Sequence, residues 1–295
     1  MSIPEEIWKL GLERQEAREA RDFALADRLR DQLADLGWEI FDQKGSFELH
    51  EKLRYTVVEN LRSMTQIIEP CEIAIAMIVQ GFQDDAVTTV ALIRQFTDVP
   101  IVLLSLGEVG SLADVIDEKT TVLKVEEESG WGPAANALLH NVPSHFLAVM
   151  DPSTRFLGDS ITPVLTVLRE GAFSAVGWKG GLINIDDEWR SVDDKGPGEV
   201  DVLFSYFLAL DRQAAIEVGG FNARAFYYRN ADIEFSLRMR HAAGRLLQMD
   251  LPLEQGRHHG YHDVDPSFRE VQSKKNYDRV LERFRGKNAI LSPRR

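Results

Sequence analysis

Asp151 follows an apolar run, residues 145–150, that reads as a buried strand, so the chain delivers a carboxylate to a strand end, where parallel sheets collect their ligands. A second apolar run, 72–80, is followed by Gly81 and then by Phe82, Gln83 and Asp84. An aromatic face beside an amide and a carboxylate suits stacking on, and hydrogen bonding to, a nucleoside; the same tripeptide also reads as an ordinary polar loop. Between the two runs, Gly130-Trp131-Gly132-Pro133-Ala134-Ala135-Asn136 joins small residues to a helix start. Backbone around Gly132 and Asn136 can approach a ligand closely, and the N–H groups opening a helix receive phosphate. Trp178 lies in a Gly- and Asp-rich stretch, 177–198, with the length and composition of an active-site loop. Its indole, like those of other tryptophans, suits either a sugar ring or the core, and Trp189 has the same two readings.

Positioning these groups requires an α/β domain. The strand at 72–80, a polar loop, a helix over 86–96, Pro100 and a strand over 101–106 make a β-α-β unit, which handedness turns into a parallel sheet. The strand at 145–150, a helix over 159–170 and an apolar strand over 201–210 extend it. Residues 1–50 differ in kind. Helices are predicted over 4–20 and 22–36, with Asp22 as N-cap and Gly37 past the end, then a short β-hairpin turning at Lys44-Gly45. The expected organisation is a helical hairpin domain over 1–50, a linker over 51–71, an α/β domain over 72–265 and a helical tail over 266–295.

The later sequence carries a resemblance. Gly219-Gly220-Phe221-Asn222, the aromatic run Phe226-Tyr227-Tyr228, then Asp232, Glu234, Leu237 and Arg238 resemble the family-two glycosyltransferases of GT-A fold, over residues 72–262 and most specifically over 219–244. The resemblance implies a Rossmann-like, mixed and mostly parallel sheet flanked by helices. It implies transfer of a sugar from a nucleoside diphosphate sugar to an acceptor hydroxyl, with inversion, and Asp232 as the base; Asp232 also reads as a helix cap. With such a donor, Phe82, Gln83, Asp84, Gly132, Asn136, Asp151 and Trp178 are the expected nucleotide-sugar contacts. The resemblance places His258 or His259 beside Asp151 as ligands for Mn2+ or Mg2+. Two positions depart from the family pattern. Ser153 replaces the second Asp of an Asp-x-Asp motif, and Ser105-Leu106-Gly107 replaces an Asp at the base or ribose. Erosion to a nucleotide-sugar-binding or scaffolding protein is the alternative these departures keep open.

Residues 18–40 resemble the small C-terminal domain of cysteinyl-tRNA synthetases, with similarity over 5–49. That implies RNA contact, whereas charged helical faces alone imply docking to a protein or a second copy. A net charge of -13 argues against a broad nucleic-acid surface. Cys71 is the only cysteine, which rules out an internal disulfide. No run of apolar residues is long enough to span a bilayer, and the expectation is a cytoplasmic protein.

Overall fold

The computed structural model describes residues 3–257 and 264–294. Contacts divide the chain into two units, Met1–Arg54 and Tyr55–Arg295. In the first, α1 (Glu5–Glu19) and α2 (Phe23–Asp35) form a helical hairpin. Asp22 accepts a hydrogen bond from the Leu25 amide at 3.0 Å, and Gly37 past the end of α2 takes φ 80, a left-handed conformation that glycine adopts without strain. β1 (Trp38–Gln43) and β2 (Ser46–Glu51) pair antiparallel about Lys44-Gly45. Phe47 and Leu49 of β2 close a small core with Ile7, Leu10, Leu29 and Leu33. Arg14, buried in this unit, makes a bidentate pair with Asp42, at 2.6 and 3.1 Å.

The second unit is built on a sheet. In chain order its elements are β3 (Thr56–Val58), β4 (Cys71–Val79), α3 (Gln83–Ile93), β5 (Ile101–Ser105), β6 (Thr120–Val125), α4 (Trp131–Asn141) and β7 (Ser144–Met150). There follow β8 (Thr154–Phe156), α5 (Ile161–Arg169), β9 (Ala175–Gly177), β10 (Gly180–Ile183), β11 (Val192–Asp193), β12 (Gly198–Val200), β13 (Val202–Leu203) and β14 (Phe207–Asp211). The rest are α6 (Arg212–Glu217), α7 (Ala231–His241), β15 (Leu246–Gln248), β16 (Leu253–Gln255) and α8 (Pro266–Phe284).

Among the described residues nine strands form the main sheet, in the order β12-β15-β9-β14-β7-β4-β5-β6-β3. β7, β4, β5, β6 and β3 run parallel, as do β9 and β15, whereas β14 is antiparallel to both its neighbours. This is a mixed, mostly parallel sheet with helices on both faces. Side chains of β4 alternate between the two faces because a strand has a period of two. Ala74, Ala76 and Ile78 pack with α4 and α7, while Ile73, Ile75, Met77 and Val79 pack with α3 and α5. Burying each large aliphatic side chain contributes about 1.5–3 kcal/mol before chain entropy is counted.

Two sequence expectations change. Residues 51–71 are no simple linker, because β3 pairs with β6 at the sheet edge. The strand expected over 201–210 is interrupted at residues 204–206, between β13 and β14, where the Ser205 amide turns to the Asp232 carboxylate. The tail helix α8 packs on α7, and Asn276 donates to the Tyr227 and Arg229 carbonyls at 2.8 and 2.9 Å. No described helix is long and apolar enough to cross a membrane.

Candidate active site

Residues 204–207, where the expected strand breaks, gather the site. The Asp151 amide donates to the Tyr206 carbonyl at 3.2 Å, and the Ser205 amide donates to the Asp232 carboxylate at 2.9 Å. The Trp178 amide donates to the Phe207 carbonyl at 3.2 Å, and the Phe204 amide to the Lys179 carbonyl at 2.8 Å. One short segment thus ties together the end of β7, the end of β9 and the start of α7. Asp151 and Asp232 flank Tyr206, whose hydroxyl titrates above its ordinary range. Burial is the main cause, and the Asp232 charge, then Asp151, add to it; a hydrogen bond with Gln255 and the Arg229 charge oppose it.

Asp232 is buried in the first turn of α7 and opens on a cavity of about 290 Å³ walled by Tyr206, Tyr228, Arg229 and Tyr277. Its carboxylate accepts from the Ser205 amide, the Ser205 hydroxyl at 3.2 Å and the Ile233 amide at 2.9 Å. Burial raises its pKa to about 6, with those donors pulling the other way. The capping position of α7 belongs to Asn230, in a left-handed conformation at φ 68, so Asp232 is not the helix cap. A carboxylate that is ionised at neutral pH yet weakly held can take a proton from a hydroxyl.

Asp151, also buried, accepts from the Ser153 amide at 2.7 Å and the Ser153 hydroxyl at 2.9 Å. Its pKa rises to about 7, chiefly by burial, with the Asp85 charge adding and Arg257 opposing. Arg257 lies over the Phe82 ring at 3.9 Å and pairs with Asp85 at 2.6 Å. Phe82, at φ 51 in the left-handed region, thus faces this cluster. Gln83 and Asp84 point elsewhere: Gln83 donates to the Glu108 carbonyl at 2.9 Å, and Asp84 accepts from Ser111 at 2.7 Å. Ser105 is likewise turned inward, donating to the Gly107 and Glu108 carbonyls.

Gly132 and Asn136 have work within the fold. The Trp131 and Gly132 amides donate to the Phe226 and Ala225 carbonyls, at 3.3 and 2.7 Å, and Pro133 has no amide hydrogen. The N-terminus of α4 therefore lacks the free first-turn donors that the phosphate expectation needs. Asn136 clamps the Phe221 backbone, donating to its carbonyl at 2.9 Å and accepting from its amide at 2.8 Å. Trp178 is half-buried at the end of β9, on the same sheet edge as Asp151, with the Lys179 ammonium 4.8 Å from its ring. Trp189 is a core residue.

His258 and His259 lie outside the described residues. Among the described residues no three His, Cys, Asp or Glu side chains gather as a metal site. The Asp151 carboxylate and Ser153 hydroxyl supply oxygen donors suited to a hard divalent cation, whose remaining ligands would come from water and donor phosphates.

Ser205, Tyr206, Asp85, Arg190, Arg229 and Arg257 escaped the sequence reading. Arg229 and Arg257 adjoin residues already singled out, so proximity in sequence is a usable signal. Ser205 and Tyr206 were hidden inside an apolar run, and nothing in the sequence marks Arg190.

No family model and no curated protein matches this sequence. Solved structures do. A crystal structure of GalNAc-T7 with UDP, GalNAc and Mn2+ matches with TM-score 0.56 and 14% identity over 72% of this chain. This chain spans about half of that one, 47%. The mannosyltransferase PcManGT from Pyrobaculum calidifontis, in complex with GDP-Man and Mn2+, matches with TM-score 0.50 and 12% identity, over 76% of this chain and 72% of that one. At such identities the likeness is one of fold, and the fold is that of the GT-A glycosyltransferases.

Proposed function

We propose that the protein is an inverting glycosyltransferase that moves a sugar from a nucleoside diphosphate sugar to an acceptor hydroxyl, with Asp232 as base. The single observation that carries this reading is a buried carboxylate of pKa about 6 at the floor of a cavity beside the strand ends. Asp232 takes the acceptor proton as the acceptor oxygen bonds to the anomeric carbon. The bond from that carbon to the diphosphate oxygen breaks, and the nucleoside diphosphate leaves with the electron pair. Ser205 keeps the carboxylate aimed, and Tyr206, Tyr228 and Tyr277 wall the acceptor's place. Phe82, Asp151 and Trp178 are proposed to face the donor; Gln83, Asp84, Gly132 and Asn136 are proposed to shape its surroundings from within the fold.

A panel of nucleotide sugars, run with and without Mn2+ and with Asp232→Asn alongside, tests the assignment. Undiminished turnover in the variant removes the base, and tight donor binding with no transfer or hydrolysis in the wild type favours a binding protein instead. A requirement for Mn2+ would support Asp151, with His258 or His259, as the cation's protein ligands. For the first unit we propose docking to a protein, not RNA contact, because Arg14 and Arg18 are both committed to Asp42 within that unit. Salt-sensitive retention of tRNA by the full chain on a filter would reverse this.

A further inference from the structure

The cavity at Asp232 is basic in a chain whose net charge is -13. Arg190 and Arg229 both line it, and both are exposed. Arg190 has a weak tie to Glu188 at 3.4 Å, with both side chains mostly solvated, so it remains open to competition from a ligand. The Arg229 guanidinium forms no hydrogen bond or ion pair with any described residue, while its charge reaches Tyr206 across the same cavity. Its backbone is held firmly: the Arg229 carbonyl accepts from the buried Asn276, and the next residue, Asn230, donates to the Ser273 carbonyl at 3.0 Å. A fixed backbone presenting an uncommitted guanidinium beside a carboxylate base is a receptor for an anion, and the guanidinium fork matches phosphate and carboxylate oxygens. Phe204, Tyr206, Tyr228 and Tyr277 add flat faces, and the cavity has room for about one sugar ring or short polyol.

We infer that the acceptor is a hydroxyl compound, a sugar or polyol, that carries its own phosphate or carboxylate, held by Arg229 with Arg190 so that the hydroxyl meets Asp232. The inference rests on the transferase reading and narrows it. The acceptor's hydroxyl proton passes to Asp232 as in the reaction above, and its anionic group takes no part in bond making.

The full chain, with whichever of UDP-glucose, UDP-N-acetylglucosamine or GDP-mannose it turns over fastest, is offered matched acceptors. These are glycerol against glycerol 1-phosphate, and glucose against glucose 6-phosphate and against glucuronate. The anionic members are expected to be preferred about tenfold or more in kcat/KM, and the phosphate and carboxylate arms show which group is read. R229A is expected to reduce that ratio about tenfold, mainly through acceptor KM, with R229K keeping part of it and R190A doing less. Because the ratio is taken within each variant, a general loss of active protein cancels. Equal use of neutral and anionic acceptors, or an unchanged ratio in R229A, overturns the inference. So does weaker UDP binding by R229A in calorimetry with the ratio intact, which would assign the guanidinium to the donor. Donor turnover without acceptor preference removes this inference alone; no donor turnover at all, hydrolysis included, removes the transferase reading and the inference with it.

Discussion

The two halves of the large unit treat their polar groups in opposite ways. On the side of β4, β5 and α4, Gln83, Asp84, Ser105, Gly132 and Asn136 all spend their hydrogen-bonding capacity or their space inside the protein. On the side of α7, a cavity stands open, Asp232 faces it, and Arg229 is uncommitted among the described residues. Residues suited to a ligand by type are thus not equally available to one. The first half turns these groups to partners within the chain, and the second leaves Asp232 and Arg229 lining an open cavity.

Breaking the second half should have the largest effect. Asp232→Asn is expected to lower kcat about 10²–10⁴-fold while folding is kept, since the amide oxygen can still accept from Ser205. In the wild type, kcat/KM should fall as pH drops through about 6, because the base must be ionised. A pH–rate profile flat from 5 to 8 would contradict that role.

Gly132→Ala sharpens the contrast from the other side. A Cβ there would lie 2.2 Å from the Asn222 carbonyl oxygen and 3.1 Å from that of Ala225, so backbone must shift. A loss of about 2–3 kcal/mol in chemical denaturation is expected. Should the variant keep full stability and lose donor affinity instead, Gly132 is a ligand position after all.

Asn136→Ala comes next, at about 1–3 kcal/mol, because it leaves the Phe221 amide and carbonyl without their partner. Donor affinity of the folded protein should not change, as calorimetry with UDP would show.

The smallest effect is one of pH. Asp151 has its folded pKa raised from 3.8 to about 7, so the native state holds this proton more tightly than the unfolded chain. Its contribution to stability is full below pH 3.8 and is lost as pH rises through about 7. Asp151→Asn lacks this loss, and its stability relative to wild type should improve by about 1.4 kcal/mol from pH 6 to pH 8. A difference constant across that range would mean that Asp151 is not titrating in the native state.

Much of this could be read in the sequence. Apolar periodicity and capping residues located the helices of the first unit, the strands β4, β5 and β7, and a parallel α/β sheet, because burial and backbone geometry act over a few residues at a time. Asp151 at a strand end and Asp232 near an aromatic run were legible for the same local reason. What the tertiary structure decided was the use of each polar group. Ser205 reads as strand, but its amide turns to the carboxylate of Asp232, distant in sequence. Gly132 and Asn136 read as ligand contacts but meet the 220–226 backbone. Whether a donor or a charge is free depends on which distant segment reaches it first, and that competition is settled only when the chain has folded.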